Sequence, residues 1–158
     1  MKKIDLGQTI TILANVGVIA GILLLAFELS QNNKLLRAQA DETYLQNRLD
    51  NRQRIIEDPE FAQLWVKLSK NEPLDEIEEV RLAAMVEETI LEWQWEFRSI
   101  VDGTLNKDLE LAAEGYSQNF RRQGSRLAQA FPDQWPSVRR TLEPDFVRWM
   151  EENVVNER

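Results

Sequence analysis

The run Ile10–Leu29, ITILANVGVIAGILLLAFEL, constrains this chain more than any other feature. Between Val16 and Phe27 it holds no polar side chain. About 20 apolar residues is the length a helix needs to cross the hydrocarbon core of a bilayer. Nothing in residues 30–158 regains such a run. Thr9, Thr11, Asn15 and Glu28 dilute it, which leaves a buried helix of a soluble protein as one alternative. A secretory signal is the other, because Met1-Lys2-Lys3 opens the chain with positive charge. No small-x-small cleavage site follows, however, and the run exceeds a typical signal core. We therefore read residues 1–30 as a retained transmembrane anchor in the lipid bilayer.

Ala14, Gly17 and Gly21 are spaced by three and four, which puts three small residues on one helix face. Such a face lets two helices approach closely in lipid. Asn15 is one position from that groove, and an amide in hydrocarbon seeks a hydrogen-bonding partner. Ala14, Asn15, Gly17 and Gly21 are thus the candidate helix–helix interface. The plain alternative is that glycine is common in membrane helices and that Asn15 lies near the headgroups. Glu28 belongs at the interface, since a carboxylate at the bilayer centre is costly.

The chain has no cysteine and no histidine. That excludes disulfides, thiolate nucleophiles and Cys-ligated zinc or iron–sulfur centres. It also removes the commonest metal ligand and the usual general base near neutral pH. The formal net charge is -8 and the pI about 4.7, which argues against nucleic acid as a partner. Arg121-Arg122 and Arg139-Arg140 are too short to reverse this.

Ile22 to Asp58 contains neither Gly nor Pro and is rich in helix formers. Leu29, Leu36, Ala40, Tyr44, Leu45, Leu49 and Ile56 recur at helical spacings. This predicts one long helix leaving the membrane and ending near Glu57, with Asn32-Asn33 as its weakest point. Residues 31–57 form a stalk. Asp58-Pro59-Glu60 restarts a helix, with Asp58 as N-cap and proline in the first helical position. Phe61, Leu64, Trp65 and Leu68 give that helix an apolar face, and Asn71-Glu72-Pro73 closes it with a turn.

Leu74 to Val101 is the best-patterned segment. Ala83, Val86, Ile90, Trp93, Phe97 and Ile100 form a heptad-like seam. Ile77, Val80, Ala84, Leu91 and Trp95 form a second side, so we expect a central helix buried on two faces, capped by Gly103. Lys107 to Phe120 reads as another helix, where Gly115 weakens it or marks a close approach. Gly124 starts a short segment that ends at Phe131-Pro132. Gln134-Trp135-Pro136-Ser137 reads as a loop or cap. Glu143-Pro144 restarts a last helix carrying Phe146, Trp149 and Met150, and the chain frays from Val154. There is no internal repeat and no convincing strand. The expected fold is all-α: an N-terminal transmembrane helix that continues into a long helix, with a soluble helical domain at 31–158 whose bundle is 58–158.

The one constellation with chemical potential is acidic. Glu88, Glu92 and Glu96 are four apart on one helix face, with Glu87 adjoining. Carboxylates on bundle helices can hold two metals, but the familiar pattern adds Glu-x-x-His, and this chain has no histidine. Ion pairing within the fold is the expected reason for the cluster, with Arg81, Arg98, Arg121 or Arg122 as partners. Of the five tryptophans, Trp65, Trp93, Trp95 and Trp149 lie on or beside apolar stripes and are expected in the core, while Trp135 is the candidate for an exposed aromatic. No phosphate loop, dinucleotide fingerprint, nucleophile elbow or zinc motif is present. We expect no cofactor, no metal site and no catalytic residue.

Two stretches carry a resemblance: Glu28-Leu29-Ser30-Gln31-Asn32-Asn33-Lys34-x-x-Arg37 and Glu57-Asp58-Pro59-Glu60-Phe61-Ala62-Gln63-Leu64-Trp65. With the apolar span before them they resemble a group of uncharacterised small bacterial membrane-anchored helical proteins. The resemblance implies no activity. It implies a single-pass protein of the bacterial inner membrane with positive residues after the span, which puts the soluble domain in the cytoplasm. This sequence departs from it in carrying Lys2 and Lys3 before the span as well as Lys34, Arg37 and Arg48 after it.

The expected function is a non-catalytic scaffold or interaction protein that self-associates as a homo-oligomer through its transmembrane and stalk helix. An accessory subunit that docks on another membrane protein is the alternative. An enzyme or ligand-binding domain using Glu88, Glu92 and Glu96 is the alternative from another class.

Overall fold

The computed structural model describes residues 6–121 and 126–156, so the basic start at Lys2-Lys3, Arg122 and Gly124 lie outside it. The fold is all-α, with no strand among the described residues. Six helices follow in order: α1 (Leu6–Glu57), α2 (Pro59–Lys70), α3 (Glu76–Val101), α4 (Leu109–Arg121), α5 (Arg126–Val138) and α6 (Pro144–Met150). A π-helical turn, Glu151–Val155, continues α6. The chain divides into two compact units, Met1–Gln39 and Ala40–Arg158.

The first unit is the opening of α1. Its helix is unbroken through Asn32-Asn33. Thr11 donates from Oγ1 to the Gly7 carbonyl one turn back, at 2.9 Å, which spends its hydroxyl inside the helix. α1 is long and apolar enough at residues 10–29 to cross a membrane.

The second unit begins with the rest of α1 and ends that helix by local chemistry. Asp58 is extended (φ -106°, ψ 103°), as a residue before proline prefers. Its carboxylate accepts from the amides of Glu60 and Phe61 and so starts α2. α2 stops at Asn71, which takes the left-handed conformation (φ 60°) that Asn tolerates better than most residues. The Asn71 side chain then accepts the Arg126 amide at 2.8 Å, capping the first turn of α5. Asp75 and Glu78 close a reciprocal capping box on α3, and Gly103 (φ 70°) ends α3 in a conformation that favours glycine.

α3 packs against α4, α5 and α6, and α4 packs on α5 and on the π-helical turn. Leu64, Val86, Ile90, Phe146 and Met150 are fully buried among these elements. The seam on α3 is confirmed at Val86, Ile90 and Trp93, with Leu82 taking the buried place expected of Ala83. The second face does not hold. Ile77 and Val80 are 68% and 66% exposed, and Ala84 and Leu91 are exposed as well. One helix offers its neighbours a single seam here, and among the described residues of the second unit none covers Ile77, Val80, Ala84 and Leu91.

Three further expectations are overturned by burial. Gln134–Ser137 is helix, not loop, because α5 runs through both Pro132 and Pro136. Ala128, Phe131, Trp135 and Val138 are spaced by three, four and three and all are buried. Burying large side chains is worth about 1.5–3 kcal/mol each, against about 3 kcal/mol for a proline inside a helix. Both prolines lie on the exposed side. Trp135 is therefore core, only 4% exposed, and not the exposed aromatic. Nor does the chain fray at Val154: that side chain is 1% exposed and extends the buried line of Phe146 and Met150 at intervals of four.

Candidate functional site

The sequence-predicted interface lies on α1. Ala14, Gly17 and Gly21 come together on one face, and a Cβ added at either glycine would meet nothing within 4 Å. The groove is thus open among the described residues. Asn15 is exposed and, at about 100° per residue, lies a quarter-turn round from Ala14. The twelve large apolar side chains from Ile10 to Leu29 are all between 55% and 66% exposed. Further along α1, Leu45, Leu49 and Ile56 are also exposed, at 60%, 55% and 82%.

The acidic cluster resolves into separate ion pairs. Arg54 donates to Glu88 at 2.6 Å, which raises the pKa of its guanidinium through that hydrogen bond and the carboxylate's charge. Lys107 donates to Glu96, a carboxylate only 6% exposed. Of the expected partners, Arg81 pairs instead with Glu60, and Arg98 with Glu143 at 2.9 Å. The partners of Glu88 and Glu96 come from α1 and from the loop before α4. No group of three or more acidic residues among those described is arranged to hold a metal ion.

Sequence reasoning missed a cavity of about 550 Å³ in the second unit. Residues from α1, α2, α3, α4 and α5 line it, together with Lys107. Tyr44 and Asn47 bring in the half-buried side of α1, opposite in register to the exposed Leu45 and Leu49. The walls are aromatic: Phe61 and Trp65 meet edge to face at 6.5 Å, and Trp93 stacks on Tyr116 and on Phe131 at 4.5 and 5.2 Å. Trp95 also lines it, so Trp65 and Trp95 are wall rather than sealed core. Gly115 opens onto the cavity, with no close approach of another element.

The polar groups are few. Lys107 lies over the Tyr44 ring at 5.2 Å and donates to its hydroxyl at 3.4 Å, besides pairing with Glu96. Arg48 donates to the same hydroxyl at 3.0 Å. Among the wall residues, Trp65 Nε1 is buried with no hydrogen-bond partner, and the Tyr116 hydroxyl is buried beside the Glu96 carboxylate without a hydrogen bond of normal geometry. Trp135 Nε1 is likewise unpaired but is not on the wall. Burial, and then the charge of Glu96, push the Tyr116 pKa far above its ordinary value, so its hydroxyl keeps its proton. The periodic positions Trp65, Trp93 and Tyr116 were legible as an apolar pattern, but a space between them was not. Comparison with known protein families, with curated proteins and with solved structures gives no match for the chain.

Proposed function

We propose that this protein is a non-catalytic, single-span membrane protein that associates with further copies of itself through α1, as a scaffold or interaction protein. The observation that carries the reading is the uncovered apolar surface of residues 10–29. Twelve large apolar side chains left more than half exposed to water would cost on the order of 10–20 kcal/mol. That is as much as the whole stability of an ordinary domain. Lipid removes this cost along the helix, and a second helix at the open Gly17 and Gly21 face adds close packing. In the register set by Ala14, Gly17 and Gly21, Leu24, Leu35, Ala38, Leu45, Leu49 and Ile56 recur, interrupted by Glu28, Gln31, Glu42 and Arg52, which supports pairing along the stalk. Lys34, Arg37 and Arg48 after the run, three against Lys2 and Lys3 before it, tip the charge balance toward the cytoplasmic side for the domain that follows.

The test is membrane fractionation followed by native mass spectrometry of the detergent-solubilised full chain. We expect resistance to alkaline extraction and a dimer or higher oligomer. Gly17→Leu and Gly21→Leu should become monomeric while staying in the membrane. A chain that dissolves on alkaline treatment contradicts the anchor. A stoichiometric second protein in place of a second copy supports instead the reading as an accessory subunit.

A further inference from the structure

We infer that the cavity of residues 40–158 is a binding site for a small aromatic carboxylate, a ligand with a flat apolar body and an anionic, hydrogen-bond-accepting head. Its volume of about 550 Å³ is that of a small-molecule pocket. The Phe61, Trp65 and Trp93 rings present flat apolar surface, to which an aromatic body stacks or packs edge-on.

The head group follows from what the wall lacks. Trp65 Nε1–H can only donate, and it is buried without an acceptor. The Tyr116 hydroxyl, on a residue 4% exposed, makes no hydrogen bond of normal geometry but already has the Glu96 carboxylate beside it. Buried polar groups in native proteins are nearly always paired, so the unpaired Trp65 donor on the cavity wall points to a missing acceptor. The local charge agrees. Arg48, Arg52 and Lys107 line the cavity against Glu92 and Glu96, an excess of cations in a chain whose net charge is -8. A cationic ligand would leave the Trp65 donor unmet and face that excess.

Gly115 supplies a clean block. It lines the cavity, nothing lies within 4 Å of a Cβ placed there, and Gly→Leu raises helix propensity, so Gly115→Leu fills space without threatening the fold. The experiment titrates 2-naphthoate, and separately 2-naphthylmethylammonium, into the full chain in detergent micelles by calorimetry. The Gly115→Leu protein in the same micelles corrects for partition into detergent. We expect one 2-naphthoate per chain, bound about tenfold or more tighter than the ammonium compound, with a similar loss in Gly115→Leu. Trp65→Phe, which keeps a ring and removes the donor, should weaken 2-naphthoate several-fold. Equal heats from wild type and Gly115→Leu, or an ammonium compound that binds as tightly as the carboxylate, would overturn the assignment. Neither result bears on self-association through α1.

Discussion

Trp93 of α3 stacks on Tyr116 of α4, ring centroids 4.5 Å apart and planes 14° apart. The pair joins two helices at the edge of the cavity, and its two members carry opposite predictions. Trp93→Ala removes a buried aromatic and should cost about 3–5 kcal/mol in chemical denaturation. Tyr116→Phe removes a buried hydroxyl that lies beside the Glu96 carboxylate without a hydrogen bond of normal geometry, so it should change stability by no more than about 1 kcal/mol. It also changes the alkaline limb. The folded-state pKa of Tyr116 is raised, so its contribution is complete below the ordinary tyrosine value and declines above it. Wild type should lose stability above about pH 10, and Tyr116→Phe should lose less of it, as thermal unfolding across that range would show.

Lys107 and Glu96 form the most buried ion pair of those described, with side chains 24% and 8% exposed. Removing one partner strands a charge. Lys107→Met should therefore destabilise by about 3–5 kcal/mol, while adding Glu96→Gln should recover a large part of the loss. A double-mutant cycle in urea measures the coupling, and additivity would mean that the two charges act independently.

Glu78 joins α2 to α3. It accepts from Lys67 at 2.6 Å and from the Asp75 amide at 2.9 Å. The hydrogen bond from Lys67 and then that from the Asp75 amide hold its pKa below the usual carboxylate range. A lowered folded-state pKa gives stability that is present above the unfolded value and lost as pH falls through the folded one. Melting temperature should therefore fall on acidification below about pH 4.3, and Glu78→Gln should start lower and show a shallower acid limb.

The long helix and its end were legible because local chemistry decides them: no Gly or Pro from Ile22 to Asp58, then Asp58-Pro59. The buried seam of α3 was legible from periodicity at Val86, Ile90 and Trp93. The errors came where tertiary burial outweighs local preference. Pro132 and Pro136 signal a break, yet the stripe containing Phe131 and Trp135 keeps α5 helical. Ile77 and Val80 looked like core because spacing reveals a face without revealing what covers it. The cavity was not legible at all, since it needs Tyr44, Trp65, Lys107 and Tyr116 brought together from separate parts of the chain.

The central claim, pairing of α1 in the membrane, has a direct test because the chain has no cysteine of its own. Single cysteines are placed at 12, 14, 16, 17, 19, 21 and 23, and disulfide cross-linking is measured in native membranes. The account predicts dimer yield that peaks at positions 14, 17 and 21 and falls at 12, 16, 19 and 23 on the opposite side of the helix. Uniformly absent cross-links, or a maximum on that opposite side, would contradict it.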